Sequence, residues 1–176
     1  GNPAVVLAIR RGYGMNPIAA MIIEQATASR VMIAAAESCT GGMVAAALTD
    51  IPGSSMVLDR GFVTYSNTAK AEMLGVDPAI ISHHGAVSEE VVRAMAAGAL
   101  NSIAHSGSKL AVSVSGVAGP GGGSDEKPVG LVWFGIAGQA GNRLSLEAEQ
   151  VIFPGDRGQI RQKAADHALQ LLLDQL

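Results

Sequence analysis

Ser38 lies in the run Ala34-Ala35-Ala36-Glu37-Ser38-Cys39-Thr40-Gly41-Gly42, where an apolar segment meets a turn of small polar residues. Val31 to Ala36 suits a buried strand and Met43 to Leu48 is rich in helix formers, so the serine falls on a strand-to-helix elbow. Thr40 or Ser38 can cap that helix, and Gly41 and Gly42 leave its first amides open to an oxyanion or a phosphate. The same residues also make an ordinary helix start. A second group sharpens the chemistry. In Thr64-Tyr65-Ser66-Asn67-Thr68-Ala69-Lys70, Tyr65 ends a strand and Lys70 sits one turn into the next helix. Both can point back towards Ser38, and a deprotonated lysine beside a serine hydroxyl is a base for attack on an amide. A solvated lysine titrates at about 10.4, so this role requires burial or a neighbouring positive charge.

The elements that carry these residues read as follows. Asn16 opens a helix to Ser29 with Ile18, Met21, Ile22 and Ala26 on one side. Beyond the elbow, Met56 to Tyr65 is a strand interrupted by Asp59-Arg60-Gly61, and Ser66 or Asn67 caps a helix to Leu74. Asp77-Pro78 opens another helix, and Ser88-Glu89-Glu90 opens a long one to about His105. Strands follow at Leu110 to Ser115, Val129 to Ala137 and Leu144 to Phe153, the first two joined by the glycine-rich Gly119 to Ser124. A last amphipathic helix runs from about Gly155 to Leu173. Helices and strands alternate early and strands succeed one another late. The pattern predicts an α/β, three-layer α/β/α single domain with a mixed, partly parallel sheet of about five or six strands. Ligands in such sheets gather beyond the carboxyl ends of the parallel strands, which points to Glu37 to Gly42, Thr64 to Lys70 and Ser115 to Lys127.

Composition narrows the class. The 176 residues are 48% hydrophobic, enough for one sizeable core. A net charge of −3 and 3% aromatic content argue against a nucleic-acid surface. No apolar run reaches the length that spans a bilayer. Cys39 is the single cysteine, so an intrachain disulfide is excluded and a reducing cytoplasm is the expected setting. Residues 1–14 read as an extension or tag remnant before Met15, and residues 15–176 as the domain. The alanine-rich helices suggest subunit packing, and a homo-oligomer is expected.

Four segments stand in order: Glu37-Ser38-Cys39-Thr40-Gly41-Gly42; Val63-Thr64-Tyr65-Ser66-Asn67 with Lys70; Ser115-Gly116 with Ala118-Gly119-Pro120-Gly121-Gly122; and Gly155-Asp156-Arg157. With Glu126-Lys127-Pro128-Val129-Gly130, they resemble the CinA C-terminal-domain family from about Met15 to the end. The resemblance implies a nicotinamide-nucleotide amidohydrolase, converting nicotinamide mononucleotide to nicotinate mononucleotide and ammonia in pyridine nucleotide recycling. It implies Ser38 as nucleophile, Lys70 as general base and Tyr65 as the partner that orients or relays the proton. The reaction so implied requires no metal and no organic cofactor. Candidate substrate contacts are Thr40, Gly41 and Gly42 for the oxyanion, with Asn67, Ser115, Gly119, Gly121 and Arg157 for the remainder of the nucleotide. Ser115 stands where many members carry threonine, and Arg60 where a small residue is usual. Many members carry an additional amino-terminal domain similar to molybdopterin-binding proteins; the resemblance here is to the stand-alone form.

Other readings remain open on the residues themselves. A non-catalytic nucleotide-binding module would keep the glycine-rich loops without needing Lys70, and a serine-lysine amidase could act on a different small amide. Cys39 is a rival nucleophile that would face away if Ser38 faces the pocket. His83 and His84 read as solvent-facing, and Trp133 and Phe134 as core.

Overall fold

A computed structural model describes residues 14–176 of the chain. The expectation for residues 1–14 therefore lies, apart from Gly14, outside the described residues. Helix α1 (Pro17–Ser29) leads into β1 (Met32–Glu37), α2 (Met43–Thr49), a 3-10 turn at Ser54–Met56 and β2 (Leu58–Val63). Three helices follow, α3 (Asn67–Leu74), α4 (Pro78–His84) and α5 (Glu89–Ser102). The chain then forms β3 (Lys109–Gly116), β4 (Leu131–Ala140), β5 (Arg143–Ile152) and α6 (Arg157–Asp174).

The helix starts obey local capping chemistry. Asn16, Ser66, Asp77, Ser88 and Asp156 each accept hydrogen bonds from amides of the first turn, filling donors that have no partner within the helix. Helix α2 departs from the expected side-chain cap at Thr40 or Ser38. Its N-cap is Gly42, at φ 105°, and the carboxylate of Glu37 reaches over from the end of β1 to take the Val44 and Ala45 amides at 2.9 and 3.1 Å. Helix α5 stops at Ser102 rather than near His105.

The five strands form one sheet in the order β2-β1-β3-β4-β5, parallel across β2, β1 and β3 and antiparallel across β4 and β5. The interruption expected at Asp59-Arg60-Gly61 is a bulge within a continuous strand: Ile33 pairs with Leu58 and Ala34 with Arg60, so Asp59 is passed over. Side chains alternate across the sheet and divide the core in two. Ile33, Ala35, Val112 and Val114 pack with α1, α2 and α6, whereas Ala34, Ala36 and Ala111 pack with α3, α4 and α5. A Cβ at Gly135 would overlap the Val92 carbonyl, so the glycine is what lets α5 lie so close to β4. Phe134 is fully buried as expected, but its neighbour Trp133 is only half-buried because alternation turns it to the other face, at the sheet's end.

Topology selects the location of a site. The chain leaves β1 through α2 on one face to reach β2, and returns through α3 to α5 on the other face to reach β3. The strand order therefore reverses at β1, and the crevice beyond the carboxyl ends of β1 and β3 is where ligands bind in open sheets of this kind.

Candidate active site

The same two-residue alternation that sorts the core sorts the chemistry at the end of β1. Glu37 shares the face of Ala35 and turns to α2, while Ser38 shares the face of Ala36 and turns towards α3. The sheet ladder continues past the strand ends to fix this point: the Ser38 amide donates to the Val114 carbonyl and the Thr64 amide to the Glu37 carbonyl, each at 2.9 Å. Ser66 caps α3 and places Lys70 in its first turn, where helical side chains lean back towards the N-terminus.

Lys70 Nζ donates to Ser38 Oγ at 3.2 Å, to the Thr64 carbonyl at 2.9 Å and to the Tyr65 carbonyl at 3.3 Å. The lysine is 1% exposed and Ser38 9%. No carboxylate pairs with Nζ among the described residues. Burial disfavours the ammonium and lowers its pKa from the ordinary 10.5, and the nearby Cys39 opposes this only in part. A lysine so placed holds a neutral amine within reach of the serine hydroxyl more readily than a solvated one.

Ser38 and Lys70 border a cavity of about 300 Å³, together with Cys39, Tyr65, Asn67 and Arg157. Its far wall is Ser115 and the loop after β3, including Gly119 and Gly121. The structure thus brings Ser38, Tyr65, Asn67, Lys70, Ser115, Gly119, Gly121 and Arg157 around one space. Tyr65 turns its phenol away from the lysine: its hydroxyl accepts from Arg157 Nη2 at 3.1 Å, while its carbonyl holds Nζ. Arg157 also donates from Nη1 to the Gly119 carbonyl at 2.7 Å, tying the glycine-rich loop to the start of α6. Gly119 sits at φ 78°, and a Cβ there would overlap Val129, so a glycine is needed to present that carbonyl. Ser115 is buried and donates to the Ala86 carbonyl at 2.9 Å.

Thr40, Gly41 and Gly42 do not line the cavity. Thr40 is fully buried, the Gly41 amide donates to the Ser38 carbonyl at 3.0 Å, and Glu37 closes the start of α2. The amide of Cys39, the residue after Ser38, gives its hydrogen to no carbonyl or side-chain oxygen among the described residues, and Cys39 borders the cavity. The thiol of Cys39 packs into the core beside α1, α2 and α6, and burial pushes it up to about 11, which keeps it protonated and a poor nucleophile. His83 is exposed, and His84 lies 3.6 Å from Glu90, away from this cavity.

Sequence reading missed two groups here. Glu37 was visible only as the first letter of a turn, and its helix-capping role needs the β1 end to face α2. Glu37→Ala leaves two amides of α2 without an acceptor and is expected to cost about 1–3 kcal/mol of stability. Glu37→Gln, which keeps one acceptor, is expected to cost less, with urea unfolding of both variants as the check. Arg161 is the other group: from α6 it donates to the Cys39 carbonyl at 2.9 Å.

Among the described residues no group of His, Cys, Asp and Glu is arranged to hold a metal ion, and no helix is long and apolar enough to cross a membrane. Comparison with known proteins agrees with this architecture. Residues 15–176 match the model of the CinA C-terminal domain. The chain is 55% identical over 141 residues to nicotinamide-nucleotide amidohydrolase PncC of Enterobacter agglomerans, covering 80% of this chain and 82% of that one. It is 50% identical over 141 residues to a CinA-like protein of Akkermansia muciniphila, covering 80% of this chain but 33% of that longer one. Among solved structures, competence/damage inducible protein CihA of Agrobacterium tumefaciens superposes with a TM-score of 0.81 at 45% identity, over 89% of this chain and 92% of that chain. With residues 15–176 matching the family model, and with these relatives and this solved structure alike in sequence and fold, the chain belongs to the CinA C-terminal domain family.

Proposed function

We propose that the chain is a nicotinamide-nucleotide amidohydrolase in which Ser38 and Lys70 convert nicotinamide mononucleotide to nicotinate mononucleotide and ammonia. The observation that carries the reading is the 3.2 Å contact between a serine hydroxyl and a buried lysine amine that no carboxylate neutralises. The PncC relatives supply the substrate.

The reaction runs in two halves. Neutral Lys70 takes the Ser38 proton as Oγ bonds to the carboxamide carbon, and the carbonyl oxygen becomes an oxyanion. The Cys39 amide, which no carbonyl takes and which borders the cavity, is the main-chain donor assigned to that charge, in place of Thr40, Gly41 and Gly42. The Lys70 ammonium then gives its proton to the departing nitrogen, the carbon–nitrogen bond breaks and ammonia leaves. Water attacks the resulting ester, passing its proton to Nζ, and Lys70 returns that proton to Ser38 Oγ as the acid is released. The Thr64 and Tyr65 carbonyls keep Nζ aimed throughout. In this scheme Tyr65 orients the lysine through its main chain and Arg157 through its side chain, and the phenol carries no proton. Arg157, with the glycine-rich loop, is the cationic wall suited to the nucleotide phosphate.

The substrate test is product analysis with nicotinamide mononucleotide, its nucleoside and free nicotinamide offered separately. Ammonia from the mononucleotide, with much less from the other two, is the expected result; equal turnover of free nicotinamide would favour a general small amidase. Because the base must be neutral, kcat/KM is expected to rise with pH as Lys70 loses its proton. The midpoint of that limb is expected below the 10.5 of an ordinary lysine. A rate that falls from acidic through alkaline pH, with no rising limb below 10.5, would remove Lys70 as the base.

A further inference from the structure

We propose that Arg161 is a positioning residue for this reaction, holding the turn that carries Ser38 in register with Lys70; the inference rests on the Ser38–Lys70 reading above. Arg161 lies one helical turn beyond Arg157 on α6, so the two guanidinium groups project from the same face of that helix. Arg157 reaches Gly119 and Tyr65, and Arg161 reaches the Ser38 turn. The start of α6 therefore joins all three loops that surround the cavity.

The contact fills the one carbonyl of the turn that its own hydrogen bonds leave open. The Ser38 carbonyl accepts from the Gly41 amide and the Thr40 carbonyl from the Met43 amide. The Cys39 carbonyl between them has one partner among the described residues, Arg161 Nε at 2.9 Å. Arg161 Nη2 adds a long contact of 3.5 Å to the Thr40 carbonyl, so one planar fork spans two successive carbonyls. No carboxylate is paired with Arg161 among the described residues. The fork lies 3.3 Å from where a Cβ on Gly41 would stand, closer than most side chains would leave comfortable.

Arg161 is outside the cavity wall, so its loss acts through the turn and not on bound substrate. Without it the Cys39 carbonyl loses its partner and the Cys39–Thr40 peptide loses that restraint, which lets the neighbouring Ser38 hydroxyl shift relative to Nζ. A misplacement of about 1 Å in a reacting group costs about 10²-fold in rate.

The test compares wild type, Arg161→Ala and Arg161→Lys, each first shown to keep its circular dichroism and melting transition. Arg161→Ala is expected to lose about 30- to 100-fold in kcat for ammonia release with KM within about 3-fold. Arg161→Lys, with one point charge for two acceptors, should fall between, and millimolar guanidinium should restore part of the alanine variant's rate. In the absence of substrate, hydrogen exchange at the Gly41 and Met43 amides, which close the turn on the Ser38 and Thr40 carbonyls, should run several-fold faster in Arg161→Ala, because the turn is loosened. A kcat within twofold of wild type, a defect confined to KM, or unchanged exchange at these amides would overturn the proposal. The exchange rates need no substrate, so they still decide the hold of Arg161 on the turn if the wild type proves inactive towards nicotinamide mononucleotide.

Discussion

Ser38→Ala is expected to lower kcat for ammonia release by about 10⁴–10⁶-fold while leaving substrate affinity within about 3-fold, the signature of a group used only in the chemical step. The size follows from the geometry. In the proposed reaction Ser38 supplies the atom that bonds to the carboxamide carbon, and the neighbouring Cys39 is no substitute, being turned into the core with its thiol pushed up to about 11. The fold should survive the change, because Ser38 holds its place through its main chain, with its amide on Val114 and its carbonyl on the Gly41 amide. Steady-state kinetics with calorimetric titration of substrate separates the two quantities. A variant with wild-type kcat would move the nucleophile elsewhere.

Lys70→Met should be as informative in the opposite sense for stability. The proposed base is removed, so kcat is expected to fall by about 10²–10⁴-fold. A Ser38→Ala, Lys70→Met double variant should be little worse than Ser38→Ala alone, since the pair works as one unit. Yet the methionine variant should melt higher at neutral pH. In the native protein the ammonium is buried among two carbonyls and a hydroxyl with no carboxylate to offset its desolvation. The sign of the pH dependence is set by the lowered folded pKa. Between that value and the unfolded 10.5, the unfolded chain binds the proton and the native chain does not, so wild-type stability rises with pH across this window. The advantage of methionine is therefore largest below the folded pKa and shrinks as pH rises towards 10.5. Each kcal/mol corresponds to about 2–4 °C of melting temperature for a chain of this size, well within reach of a thermal scan. A methionine variant that melts lower at every pH would mean that Lys70 holds the loops together more than its burial strains them.

Much of this arrangement could be read without coordinates, for reasons that are local. Asn16, Ser66, Asp77, Ser88 and Asp156 announce their helices because a short polar side chain before an apolar repeat satisfies amides within the same turn. Alternation along Ala34 to Ser38 is likewise local, and together with the switch in strand order it is enough to put Ser38 and Lys70 on the same side of the sheet. What escaped is what depends on distant segments meeting. Glu37 looks like any acidic residue before a serine until β1 delivers it to α2. Arg161 looks like a solvated helix residue until α6 folds back against the elbow. The Tyr65 phenol is aimed at Arg157 because α6 begins beside it, and spacing in the chain carries no trace of that. The bulge at Asp59 belongs to the same class, since only pairing with β1 reveals which residue is passed over.

The central claim is that an ester of Ser38 lies between substrate and product, and hydroxylamine tests it most directly. Added to a turnover mixture with nicotinamide mononucleotide, it competes with water for the acyl group. The account predicts that the hydroxamate of the nucleotide appears at the expense of nicotinate mononucleotide, in proportion to the hydroxylamine present, while ammonia continues to be released. Ammonia release with the acid as sole product at every hydroxylamine concentration would contradict it, and would put water, not Ser38, at the carboxamide carbon.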